Sequence, residues 1–123
     1  MSTPVLICDD SSFARKQVRR ALPADWDISV SFASNGEEGL TAIKEGKGDV
    51  VFLDLTMPVM DGFEVLEAIK VQDLSCLVVV ISGDIQPEAM ARVKRLGAVD
   101  FIKKPVDASR LQQVLADFGI YTG

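Results

Sequence analysis

The chain contains no histidine. That absence excludes serine–histidine triads, a histidine general base and histidine-ligated zinc. Chemistry in this protein therefore rests on oxygen donors and lysine, and hard oxygens favour Mg²⁺ or a similar cation. Cysteine is scarce: Cys8 and Cys76 are the two present, which suits a reduced, cytoplasmic setting. Cys8 sits inside an apolar run and reads as a small core residue. Positive charge is also short, with 13 Lys and Arg against 18 Asp and Glu, for a net charge of -5. A nucleic-acid surface is normally basic, so direct contact with nucleic acid is not expected. No apolar stretch approaches the roughly 20 residues of a membrane-spanning helix. The amino terminus lacks the basic segment and long apolar core of a signal peptide. Neither a membrane partner nor secretion is expected.

What is present is an ordinary globular composition, 48% hydrophobic and 25% charged over 123 residues. That length fits one domain, residues 1–123, and leaves no room for a separate DNA-binding domain. Short apolar runs alternate with helical patterns throughout. Val5–Cys8, Val50–Leu53 and Leu77–Ile81 are apolar along their whole length and predict central strands buried on both faces. Ile28, Val30 and Phe32 alternate with Ser29 and Ser31, the pattern of an edge strand with one solvated face. Asp100–Lys103 supplies a fifth strand. Between them lie five helical segments. The first runs from about Ser11 to Leu22, and the second carries a Ser34–Glu37 capping-box pattern. Phe63, Leu66 and Ile69 share a face of the third, and Gln86-Pro87 opens the fourth. Met90, Val93 and Leu96 are expected to line the buried side of the fourth, with Gly97 as its stop. Asp107 caps the last, with Leu111, Val114, Leu115 and Phe118 at i, i+3, i+4 and i+7. Strict β–α alternation with right-handed crossovers predicts a doubly wound, flavodoxin-like α/β fold, a five-stranded parallel sheet in the order 2-1-3-4-5.

Such sheets bind ligands at the carboxyl ends of their strands. The residues that follow the apolar runs are Asp9-Asp10, Asp54, Ser82-Gly83 and Lys103-Lys104-Pro105. Three carboxylates within a few ångströms repel, each 4 Å pair by about 4 kcal/mol at an effective dielectric near 20. A divalent cation relieves that repulsion, and the Thr56 backbone carbonyl offers a further oxygen. Lys104 partly neutralises the cluster and can bind an anion, while the Ser82 hydroxyl can donate a hydrogen bond. A cation, a lysine and a hydroxyl around a carboxylate make a site for phosphoryl transfer to that carboxylate. Taken singly each residue has a plainer role. Asp10 or Ser11 can cap the first helix, Asp61 the third, Asp54 and Ser82-Gly83 can be turn residues, and Lys104 a solvated lysine. Their joint placement at one sheet edge favours the site.

The segments VLICDDS, VVFLDLTMPVMDG, VVVISG and GAVDFIKKP strongly resemble the receiver domain of two-component response regulators, and the likeness covers essentially the whole chain. The resemblance implies that Asp54 is the phosphoacceptor and that Asp9, Asp10, Asp54 and the Thr56 carbonyl hold Mg²⁺. It makes Ser82 the switch hydroxyl, Lys104 the phosphate-binding lysine, Lys104-Pro105 a cis peptide and Phe101 the aromatic switch, here without a hydroxyl. The implied partners are a histidine kinase or histidine phosphotransfer protein and an output protein. The resemblance places the output surface on the fourth helix, fifth strand and fifth helix, where Arg92, Arg95, Lys103 and Gln112 are candidates. It implies no enzyme in the usual sense, since the only reactions catalysed are the domain's own phosphorylation and dephosphorylation.

Three other readings compete. An aspartyl-nucleophile phosphatase wants a D-x-D motif after its first strand, whereas Asp54-Leu55-Thr56 follows the third. An FMN binder wants a hydroxyl- and glycine-rich loop where Asp9-Asp10 would repel phosphate. An interaction module that is never phosphorylated has no need of the full acid–hydroxyl–lysine set.

Overall fold

A computed structural model describes residues 2–83 and 86–121. Its strands are β1 (Thr3–Cys8), β2 (Ile28–Ala33), β3 (Val50–Leu53), β4 (Leu77–Ser82) and β5 (Asp100–Lys103). They alternate with helices α1 (Ser12–Ala21), α2 (Gly36–Lys44), α3 (Gly62–Val71), α4 (Pro87–Arg95) and α5 (Ala108–Asp117). All pairings are parallel and the order is β2-β1-β3-β4-β5, as the alternation of patterns predicts.

The fully apolar β1, β3 and β4 occupy the centre because only they can be buried on both faces. One face packs beneath α2, α3 and α4 around Leu6, Val51, Leu53, Leu66, Val80 and Val93. The other lies beneath α1 and α5 around Ile7, Phe52, Val18, Ile81, Leu111 and Leu115. Each such side chain contributes roughly 1.5–3 kcal/mol by leaving water, so the two layers fix the register of the central strands.

Helix ends follow local chemistry. Ser11, Asp61 and Asp107 each accept a backbone N–H as N-caps, and Asp61 with Glu64 completes a reciprocal capping box. Pro87 starts α4 and Gly97, at φ 102°, follows its end. The structure corrects the start of α2. Its cap is Asn35, which accepts from the Glu38 amide, while Glu38 reaches back to the Ser34 amide and hydroxyl. The cap thus lies one residue beyond Ser34, and Glu38 bonds to Ser34 rather than to the amide of the cap itself, because an asparagine can cap as well as a serine.

Three apolar residues lie outside the core that periodicity gives them. On α4 the buried pair is Ala89 and Val93, and Met90, one residue round the helix, is exposed. Phe118 is the residue at which α5 stops, so it no longer follows the helical face and is exposed. Phe32, on the edge strand β2, is 52% exposed, with no strand outside it among the described residues.

Candidate functional site

β1 and β3 are neighbours with Cys8 opposite Leu53, so the next residues, Asp9 and Asp54, emerge side by side. The Asp54 amide donates to the Cys8 carbonyl at 2.9 Å, which locks that register at the rim. Asp9 and Asp54 are buried, whereas Asp10, one step further into the loop, is exposed. Carboxylate oxygens of Asp9, Asp10 and Asp54 all lie within 4.8 Å of one another. The beginning of α1 aims the first of these. Asp9 Oδ1 accepts from the Ser11 amide at 2.9 Å, and the Asp9 carbonyl accepts from Arg15 Nη1 at 2.7 Å. Asp54 Oδ1 accepts from the Leu55 amide at 2.9 Å, leaving Oδ2 toward the lysine.

Lys104 and Ser82 arrive from the other side. β4 runs to Ser82, which lies opposite Lys103 of β5, and the Lys104 amide donates to the Ser82 carbonyl at 2.9 Å. Lys104 Nζ then reaches Asp9 Oδ2 at 2.7 Å and Asp54 Oδ2 at 3.6 Å. Ser82 is buried at the end of its strand. The Lys104-Pro105 peptide is cis. Phe101 pairs with Val80 two strands from Asp54's own, and the residue is 6% exposed among core residues that include Val93 and Ala98.

The electrostatics follow from that packing. Three carboxylates face one ammonium, three charges against one, in a partly dry cleft. Burial pushes the Asp54 carboxyl above the usual carboxylate range and the Asp9 charge adds to it; Lys104 and the amides of Thr56 and Leu55 oppose the rise. Burial pulls the Lys104 ammonium down, but its hydrogen bond to Asp9 and the charges of Asp54 and Asp9 outweigh that, so it is held above its ordinary value. Cys8, directly below, offers no thiolate. Burial and the charges of Asp9 and Asp54 push its thiol up to about 12, and its Sγ donates to the Asn35 carbonyl. The donors at the rim are therefore hard carboxylate oxygens carrying excess negative charge, which suit Mg²⁺. Thr56 is exposed two residues after Asp54 in the same loop.

Several supporting residues escape a sequence reading. Arg15 was visible only as one of several cations on α1. Gly62 has no room for a side chain: a Cβ there would lie 2.4 Å from the Asp54 carbonyl oxygen. Gly36 is equally confined, with a Cβ 2.2 Å from the Met60 carbonyl oxygen, to which its own amide donates at 2.9 Å. The loop carrying Asp54 is thus clamped between α3 and the start of α2.

The candidate output residues Arg92, Arg95, Lys103 and Gln112 are all exposed. Arg92 also engages α3, pairing with Glu67 at 3.0 Å and lying 4.3 Å over the Phe63 ring. Gln112 donates to the Ala21 carbonyl of α1 at 3.3 Å. Both long side chains find polar partners on a neighbouring helix, which no periodicity argument reveals.

Comparison with known proteins gives the chain a family. The family model described as the response regulator receiver domain matches residues 5–116. The chain is 38% identical over 112 residues to the chemotaxis protein CheY of Listeria monocytogenes, covering 90% of this chain and 93% of that protein. It is 40% identical over 102 residues to a protein-glutamate methylesterase/protein-glutamine glutaminase of Geobacter sulfurreducens, covering 82% of this chain but only 27% of that longer protein. Among solved structures, the CheX–CheY–BeF3–Mg complex from Borrelia burgdorferi superposes with a TM-score of 0.85 at 32% identity, covering 95% of this chain and 89% of that one. The chain belongs to the response regulator receiver domain family.

Proposed function

We propose that residues 1–123 act as one phosphorylation-activated signalling domain, with Asp54 as the acceptor. The observation that carries this reading is the position of Asp54 Oδ2. The Leu55 amide holds the other oxygen, while Oδ2 faces the Lys104 ammonium at 3.6 Å beside two further carboxylates. The donor is a phosphohistidine of a partner histidine kinase or histidine phosphotransfer protein. Asp54 Oδ2 attacks phosphorus, the P–O bond forms as the P–N bond breaks, and the imidazole leaves with the bonding electron pair.

Asp9, Asp10, Asp54 and the Thr56 carbonyl would hold Mg²⁺, which when bound offsets negative charge on the transferring oxygens. Lys104 neutralises a phosphoryl oxygen and the Ser82 hydroxyl donates to another. The buried Phe101 ring is the element whose packing responds. Hydrolysis of the acyl phosphate returns the domain to rest, so the catalysis is confined to its own modification and no separate substrate is turned over. The output is a changed affinity for another protein in the cytoplasm. Among the described residues no helix is long and apolar enough to cross a membrane.

Incubation with acetyl phosphate and Mg²⁺, followed by intact mass measurement, tests the assignment. One phosphoryl group on the native chain and none on Asp54→Asn is the expected result. Equal labelling of both would remove Asp54 as the acceptor.

A further inference from the structure

The second edge of the sheet carries a surface that the phosphoryl site does not use. β2 pairs only with β1 among the described strands. The Ala33 carbonyl accepts from Asp9 and the Asp27 carbonyl from Thr3, each at 3.0 Å, so residues 27 and 33 turn their backbone groups toward β1. Strand alternation then turns the N–H and C=O groups of Ile28, Val30 and Phe32 outward, away from the sheet. Native edges are normally blunted by charge, proline or a covering element. This six-residue strand, ISVSFA, has no charge and no proline, and Ser29 and Phe32 are exposed. The opposite edge, β5, is four residues long with Asp100 and Lys103 at its ends.

Alongside the open edge runs a groove of about 610 Å³, bounded by Ser31 and Phe32 of β2, the outer stripe of α2 and the exposed Val59. Glu37 and Thr41 of α2 and Glu45 at its C-cap form that stripe at i, i+4 and i+8. Glu38 adds a carboxylate, and Lys47, paired with Glu45 at 3.3 Å, is the one cation of the groove's described lining. We propose that this edge and groove form a docking site for an extended basic segment of a partner protein, added to β2 as a sixth strand. Main-chain hydrogen bonds to Ile28, Val30 and Phe32 would supply the pairing, and the acidic stripe would select the sequence.

The spacing supports this occupant. Eight helical residues rise about 12 Å, the axial separation of Glu37 and Glu45. Four strand residues rise about 13 Å, so basic side chains at j and j+4 of an added strand match the two carboxylates. A second copy of this chain fits less well, since it carries the same net charge of -5 and no basic residue in its own β2.

The test uses the ¹⁵N-labelled protein and the capped peptide Arg-Val-Ser-Val-Arg-Val, followed by NMR titration. Its controls are a counterpart with glutamate for arginine and two versions N-methylated along one edge or the other. Saturable shifts centred on the Ile28, Val30 and Phe32 amides are expected with the arginine peptide and not with the glutamate one. One N-methylated version should lose binding, and a Glu37→Gln/Glu45→Gln variant should bind about tenfold more weakly. Both glutamates are exposed, so that variant should keep its fold, which circular dichroism checks. Shifts centred on Asp9, Asp10 and Asp54, no saturable shift, or indifference to both N-methylations would overturn the proposal. Concentration-dependent self-association through the same three amides would also overturn it, by making the occupant a second copy.

Discussion

The Lys104 ammonium is hydrogen-bonded to Asp9 at 2.7 Å, nearer than its approach to Asp54 at 3.6 Å. The lysine thus compensates Asp9 first and leaves Asp54 the less neutralised of two buried acids. Removing the lysine strands the Asp9 charge. Loss of one partner of a buried ion pair costs 3–5 kcal/mol, and the partial exposure of Lys104 reduces that to about 1–2 kcal/mol. Lys104→Ala should lower the urea midpoint accordingly, and Mg²⁺ should restore more stability to it than to the native chain. An unchanged midpoint would show that the ion pair contributes nothing. Under the proposed mechanism the variant still accepts phosphate on Asp54, but phosphorylation no longer changes the domain's conformation.

Asp54 gives a pH dependence of definite sign. Its carboxyl is raised in the folded state, first by burial and then by Asp9. The folded protein therefore binds this proton more tightly than the unfolded chain does. The associated stability is fully present below the unfolded carboxylate value of about 3.8 and is lost as pH rises through the folded value. At neutral pH, without Mg²⁺, the ionised Asp54 is a burden. Asp54→Asn keeps an oxygen for the Leu55 amide and removes the charge, so it should melt a few degrees higher near pH 7. That advantage should shrink on acidification toward pH 4. An advantage independent of pH would mean that charge is not its origin.

Mg²⁺ should bind only the folded rim, because the three acids come from two strands that meet only there. At ten times its dissociation constant a single-site ligand adds about 1.4 kcal/mol. For a chain of this size that is a rise of a few degrees in melting temperature. Asp10→Ala and Asp54→Asn should each weaken the rise, and a shift of equal size in both variants would place the cation elsewhere.

The fold was legible because its strongest signals are not local accidents. Three wholly apolar runs can only be central strands, and the alternating Ile28–Phe32 segment can only be an edge. The rim was legible for the same reason, since Asp9, Asp54, Ser82 and Lys104 each directly follow or end a strand. What stayed hidden was set by side-chain reach and by crowding. Arg15 finds the Asp9 carbonyl six residues back, and Arg92 chooses Glu67 and Phe63 on another helix. The need for Gly62 arises only where α3 closes over the Asp54 carbonyl. Phe118 looked like core because periodicity cannot tell that the helix ends beneath it.

The single tryptophan offers a control for the whole placement. Trp26 precedes β2, and its ring lies 5.4 Å from that of Tyr121, whose hydroxyl is bonded to Asp25. The carboxylates leave the opposite end of the sheet. Five strand steps separate Ile28 from Ala33, about 16 Å at 3.3 Å per residue. A cation at the rim therefore has no direct route to quench the indole. Titration with Mg²⁺ should leave the fluorescence nearly unchanged, while Tyr121→Ala, which removes the ring packed against Trp26, should shift it. Strong saturable quenching by Mg²⁺ that disappears in Asp10→Ala would couple the two ends of the sheet and contradict this separation.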